Sequence, residues 1–129
     1  MRVLESVLYA EDLVAAREFY VGILGLEEIM FDPDRDLFLR CDRSVLIIFK
    51  ASRTVIADSG VPGHGTVGAG HLAFASTEEG IETWRARLAE NSVEIIDEIR
   101  WKNGAHSIYF RDPAGNILEF ATPDLWGME

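Results

Sequence analysis

The sequence predicts an α+β domain built from two tandem βαβββ modules. Three observations carry this reading. Two amphipathic segments, each preceded by helix-capping residues, follow strand-like stretches that begin near Val3 and Gly70. Each amphipathic segment is followed by further strand-sized runs. The closing hairpins rhyme, LFLRCDRSVLIIF in the first half with IYFRDPAGNILEF in the second, equal in length and similar in polarity. An internal duplication is the most economical account.

In order, Val3 to Ala10 reads as a strand apolar on both faces apart from Glu5, as in a strand buried on both sides. Asp12 is a good N-cap for a helix from Leu13 to about Leu24, with Leu13, Ala16, Phe19, Tyr20 and Ile23 as its apolar stripe. Gly25 stops it. Strands follow at Leu26 to Phe31, Leu37 to Cys41 and Ser44 to Lys50, closing a first module over about 1–50. Residues 51–68, rich in Gly, Ser and Pro, form a linker or functional loop. A second module over about 69–123 repeats the pattern. Gly70 to Ala75 is a strand, and Ser76 to Glu79 is a capping box for a helix reaching Asn91 that buries Ile81, Trp84 and Leu88. Val93 to Trp101 is a strand interrupted by charges, and the final hairpin completes the module.

Composition bounds the function. At 129 residues the chain is one domain, or two small modules sharing a core. Its apolar runs are strand-sized and fall well short of the ~20 residues of a membrane helix. A net charge of −10 argues against nucleic acid, whose phosphates need clustered Lys and Arg. The N-terminus shows no signal-peptide pattern, and the single Cys41 cannot form an internal disulfide. A cytoplasmic protein without nucleic-acid or membrane partners is expected.

The segment His106 to Thr122 holds the anomaly that points to a site. A four-residue turn, Asp112 to Gly115, would pair Arg111 with Asn116 and set Ile108 opposite Glu119. His106, Ile108, Phe110, Ile117, Glu119 and Ala121 would then share a face. A carboxylate amid apolar neighbours is costly unless something pairs with it, protonates it or coordinates it. Overlaying the two modules by their helix caps sets Glu5 against His71, both within first strands. Three groups able to bind a metal thus lie on otherwise apolar strand faces: Glu5, His71 and Glu119.

These residues, with VLYAEDLVAAREFYVGILGL in the first half and GHGTVGAGHLAFA and NGAHSIYFRDPAGNILEFATP in the second, give the chain a pattern that resembles the vicinal oxygen chelate superfamily. That group includes glyoxalase I, bleomycin-resistance proteins and extradiol dioxygenases. The resemblance implies an open, U-shaped mixed sheet with helices outside, often in homodimers. It implies ligands from the first and last strands of the modules: Glu5, His71 and Glu119, with the fourth slot near Ile48 lacking a donor. One His with two carboxylates departs from the two-His iron site of the dioxygenases, which argues against that chemistry.

The resemblance therefore implies one divalent ion (Mn, Ni, Fe or Zn) acting as a Lewis acid on a small oxygenated or electrophilic substrate, in lyase, isomerase or transferase chemistry. His106, expected on the face of Glu119, is the candidate general base, with Glu5 as an alternative base. His64 in the loop and Trp101, Lys102 and Asn103 before the hairpin are candidate substrate contacts. The competing expectation is a metal-free binding protein that sequesters a drug or metabolite in an aromatic cleft.

Overall fold

Each half of the chain folds as β-α-β-β-β around its own four-stranded mixed sheet. The structure, a computed structural model, describes residues 1–57 and 60–129, and the chain divides into two units, Met1–Gly70 and His71–Glu129.

The first unit comprises β1 (Glu5–Tyr9), α1 (Leu13–Arg17), β2 (Glu27–Asp32), β3 (Asp36–Cys41), β4 (Ser44–Phe49) and a short α2 (Ala51–Thr54). The sheet order is β1-β4-β3-β2, with β1 parallel to β4 and the other neighbours antiparallel. Asp12 caps α1, its carboxylate accepting from the Ala15 amide at 2.9 Å. The expected helix does not run uniformly to Leu24. From Glu18 it widens into a π-helical turn, in which the Leu24 amide bonds the Phe19 carbonyl five residues back. The wide turn accompanies burial of two consecutive aromatics, Phe19 and Tyr20. Gly25, at φ 75°, lets the chain leave the helix. Leu13, Ala16, Phe19 and Tyr20 form a core with Leu37, Leu39, Leu46 and Ile48. β1 is an edge strand of its sheet in which only Leu8 is buried, so its apolar character on both faces does not reflect burial on both sides.

The second unit comprises β5 (His71–Ala75), α3 (Glu78–Glu90), β6 (Asp97–Arg100), β7 (His106–Arg111) and β8 (Ile117–Ala121), ending in a 3-10 turn at Pro123–Trp126. Its order, β5-β8-β7-β6, repeats that of the first unit, again with the first and last strands parallel. Thr77 caps α3, its hydroxyl accepting from the Gly80 amide at 3.0 Å, one residue later than the capping box predicts. The helix buries Ile81 and Leu88. Trp84 stacks on Phe120 with ring centroids 4.5 Å apart, and Phe110 stacks on the same ring at 5.3 Å.

The β7–β8 turn corrects the expected register. The loop has five residues, because Asp112 draws Asn116 into it. Asp112 Oδ1 accepts from the amides of Ala114 and Asn116, both at 2.9 Å, and Oδ2 accepts from Asn116 Nδ2 at 2.9 Å. The Asp112 amide closes the loop on the Asn116 carbonyl at 3.0 Å, and Gly115 takes φ 88°. Arg111 therefore pairs with Ile117, and Tyr109 faces Glu119. The β3–β4 turn is tighter, pairing Cys41 with Ser44, so the two hairpins are not superimposable residue for residue. A one-residue shift exchanges the faces of a whole strand relative to its neighbour. His106, Ile108 and Phe110 thus turn away from Glu119, and Ser107 and Tyr109 take their place.

Candidate metal and substrate site

On one face of the second sheet, register brings His71, Ala73, Ser107, Tyr109, Ile117 and Glu119 together. His71 opens β5 and pairs with Ile117, and Glu119, on β8, lies across from Ala73 on β5 and from Tyr109 on β7. The first unit has the same plan. Glu5 opens β1 and pairs with Val45, and the place of Glu119 is taken by Ile47, which pairs with Val7. The fourth ligand slot of the first module thus falls on Ile47, next to the expected Ile48, and carries no donor. Glu5 and His71 occupy matching positions in their sheets, as the overlay of the two modules requires.

The His71 ring is fixed by the backbone of Ile117 on the neighbouring strand. Its Nδ1 lies 2.9 Å from the Ile117 carbonyl, which can only accept, so Nδ1 carries a proton. Nε2 then points at Glu119 Oε1, 3.4 Å away. In the neutral ring Nε2 presents a lone pair, and two electron-rich atoms at this spacing need a cation between them: a second ring proton or a metal ion. Two donors each about 2.1 Å from one ion lie about 3.0 to 3.4 Å apart at octahedral to tetrahedral angles. A backbone carbonyl on the far nitrogen is also how ligating histidines are commonly oriented. The pair therefore fits two positions of a divalent-metal site. Among the described residues no group of three or more His, Cys, Asp or Glu is gathered to hold an ion.

Glu119 is only 5% exposed, and its other oxygen, Oε2, accepts from Ser107 Oγ at 2.6 Å. Ser107 Oγ in turn accepts from the indole Nε1 of Trp101 at 2.9 Å. Tyr109 stacks beside His71 with centroids 6.3 Å apart, and burial, followed by the Glu119 charge, pushes its phenol above the usual value. A cavity of about 650 Å³ opens over these groups, within the size range of small-ligand pockets. Trp101 and Trp126 line it together with His71, Tyr109 and Glu119.

Of the expected substrate contacts, Trp101, Lys102 and Asn103 all line this cavity. The Asn103 side chain also has structural partners: its amide donates to the Asp124 carbonyl at 3.0 Å and its oxygen accepts from the Ala105 amide at 3.1 Å. These bonds tie the terminal 3-10 turn to the β6–β7 loop and so place Trp126. In the first unit His64 packs on Phe49, with centroids 4.9 Å apart, and its Nδ1 is 2.7 Å from the Tyr9 hydroxyl.

His106 requires a correction. It lies on the opposite face from Glu119, fully buried, with Nδ1 3.0 Å from Glu78 and Nε2 2.5 Å from Glu98. Arg85 and Arg100 complete this network by pairing with Glu98 and Glu78 respectively. The shared face on which a general-base role at Glu119 rested is absent. Sequence reasoning also missed Ser107, Tyr109 and Trp126. The signal for the first two was in the turn, because they reach Glu119 once Asn116 is counted as part of it.

No helix among the described residues is long and apolar enough to cross a membrane. Residues 2–120 match the Glyoxalase/Bleomycin resistance protein/Dioxygenase superfamily. Among solved structures, the chain is similar to a lactoylglutathione lyase from Agrobacterium tumefaciens, at 37% identity over 99% of this chain and 98% of that one, with a TM-score of 0.96. It shares its fold with a glyoxalase/bleomycin resistance protein/dioxygenase from Nocardioides, at 24% identity, 95% and 83% coverage and a TM-score of 0.74. A putative glyoxalase family protein from Bacillus anthracis shares the fold too, at 19% identity, 95% and 94% coverage and a TM-score of 0.71.

Proposed function

Because the chain belongs to the glyoxalase/bleomycin resistance protein/dioxygenase superfamily, we propose that it is a divalent-metal-dependent enzyme acting on a small oxygenated or electrophilic molecule by lyase, isomerase or transferase chemistry. The observation that carries this reading is the pair His71 Nε2 and Glu119 Oε1, 3.4 Å apart, with the outer atom of each side chain already engaged. The similarity to a lactoylglutathione lyase supports the same class of chemistry.

His71 and Glu119 would hold the ion, and Glu5, which occupies in the first module the register position of His71 in the second, is the candidate third donor. When bound, a divalent ion supplies Lewis-acid stabilisation of an oxyanion on a chelating substrate. The protein's own part is orientation. Trp101, Tyr109 and Trp126 offer apolar and aromatic surface for the body of a substrate, and Lys102 offers a positive charge in the same wall. The His71 ring is held in one tautomer, and the carboxylate of Glu119, set on the cavity face by register, is oriented by Ser107. A cytoplasmic homodimer is part of this proposal, and light scattering on the purified protein tests the dimer.

A second reading has an observation in its favour. Three aromatic rings line the cavity, and among the described residues no third His, Cys, Asp or Glu joins the pair. That arrangement suits a protein that binds a drug or metabolite without turnover. Elemental analysis separates the two readings. We expect about one transition metal per chain after incubation with Mn²⁺, Ni²⁺, Fe²⁺ or Zn²⁺, lost in His71→Ala and Glu119→Ala and weakened in Glu5→Ala. Absence of binding by all four ions would overturn the enzyme reading in favour of the binding protein. Retention of metal by Glu119→Ala would overturn the site.

A further inference from the structure

We infer that Ser107 is a positioning residue for Glu119, and that the indole N–H of Trp101 sets the direction of the Ser107 hydroxyl, linking the cavity wall to the carboxylate. The inference deepens the metal-site reading above and rests on it.

Donor and acceptor capacity fixes the direction of each bond. A serine hydroxyl has one proton and two lone pairs, whereas an indole N–H can only donate. Trp101 Nε1 lies 2.9 Å from Ser107 Oγ and therefore occupies one of its lone pairs. The single hydroxyl proton is left for Glu119 Oε2, at 2.6 Å, a length typical of O–H donation to a charged carboxylate. Ser107 is fully buried and Glu119 nearly so, which limits competition from water for either bond. With Oε2 engaged, Oε1 is the oxygen turned toward His71 Nε2. Without the Ser107 bond the carboxylate would lose the donor that fixes Oε2, leaving the Tyr109 phenol and His71 as its polar neighbours on this face.

Register makes the arrangement possible. Tyr109 directly opposes Glu119 across β7 and β8, and Ser107 is its neighbour two residues along the same face. Trp101 arrives from the other side. Its backbone amide bonds the Ala105 carbonyl at 2.9 Å across the β6–β7 turn, which Gly104 closes at φ 90°. Trp101 thus both lines the cavity and donates to Ser107. A ligand that displaces or stacks on Trp101 acts on the Ser107–Glu119 bond without touching either residue.

The test uses full-length protein and two readouts. The first is calorimetric titration with Zn²⁺ and with Mn²⁺ of the wild type, Ser107→Ala and Trp101→Phe. Loss of an outer hydrogen-bond partner of a metal ligand typically weakens binding by about 10- to 100-fold, and this is expected for Ser107→Ala. Trp101→Phe keeps an aromatic wall, removes only the N–H, and is expected to weaken binding in the same direction by a smaller factor. The second readout is the indole N–H resonance of Trp101 in metal-free protein, identified by its loss in Trp101→Phe. It is expected to shift in Ser107→Ala and also in Glu119→Gln, which the indole does not touch. Because this signal needs no metal, Glu119→Gln carries the test if Ser107→Ala folds poorly.

Wild-type binding with an unchanged Kd in both variants would refute the inference while leaving the metal site standing. An indole resonance that ignores Ser107→Ala and Glu119→Gln would refute the linkage. Failure of the wild type to bind either ion, or the other two, would overturn the metal reading and the inference together.

Discussion

Asp112→Ala is the perturbation that most directly tests how the turn places the site. Its carboxylate accepts three hydrogen bonds at 2.9 Å, from the amides of Ala114 and Asn116 and from the Asn116 side chain. Each bond to a charged acceptor is worth about 1.5–3 kcal/mol, although three bonds sharing one carboxylate do not add fully. Asn116 is 2% exposed, so truncation also strands buried donors, at about 1–3 kcal/mol. A net loss of about 3–5 kcal/mol is expected, a large share of the roughly 5–15 kcal/mol that holds a typical domain. Urea unfolding followed by circular dichroism measures it as a fall in midpoint at an unchanged slope. Asn116→Ala, which keeps both backbone bonds, should lose only about 1–2 kcal/mol. A loss below about 1 kcal/mol for Asp112→Ala would refute the argument that this carboxylate sets the five-residue loop. The site should respond as well. Asp112 follows Arg111, which pairs with Ile117, the register partner of His71, so folded Asp112→Ala protein should bind Zn²⁺ less tightly, because the loop fixes which β7 residues face Glu119.

Two further outcomes follow from the opposite face of the same sheet. Phe120→Ala removes a nearly buried ring that stacks with both Trp84 and Phe110, and thermal or urea unfolding should show a loss of about 3–5 kcal/mol. A loss under about 1 kcal/mol would mean that the three rings do not form a shared core. For pH, the Arg85 guanidinium first and His106 second hold the Glu98 carboxyl at about 2, against a usual 4.5. His106 likewise lowers Glu78. A depressed carboxylate stabilises the fold above its unfolded value, and that contribution is lost as pH falls through the folded one. Melting temperature should therefore drop from about pH 4.5 toward 2, and Glu98→Gln should make the drop shallower. Parallel curves for the two proteins would count against the network. Both carboxylates are partly exposed, so added salt should weaken the effect.

The fold was legible because periodicity and capping are local properties. Asp12 marked its helix start to the residue, Thr77 lay one residue from the box predicted there, and the repeat of βαβββ needed only the order of runs. The correspondence of Glu5 with His71, each in its own sheet, was legible too, since both are counted back from helix caps over short stretches. The π-helical turn at Glu18–Ile23 was not, because its consecutive buried aromatics also suit an α-helix. Strand register failed for a different reason. It depends on whether Asn116 ends the turn or opens the strand, and that is decided by a side-chain clamp from Asp112 that no alternation pattern records.

Polar satisfaction would have decided it. In the four-residue reading Glu119 faces Ile108 and Phe110, and His106 is the one polar group offered to it from β7. In the observed register Glu119 receives the Ser107 hydroxyl, and His106 sits between Glu78 and Glu98 on the helix-covered face. Every buried polar group named here gains a partner, and the apolar set Ile108, Phe110, Leu118 and Phe120 gains a common side. A hairpin with a lone carboxylate on an apolar strand should therefore be read in both registers, and the one that leaves fewer buried polar groups unpaired preferred. Applied to His106–Thr122, that rule selects Ser107 and Tyr109 as the neighbours of Glu119 from the sequence alone. It does not reach Trp101, because the indole comes to Ser107 through the path of the β6–β7 loop rather than through strand parity.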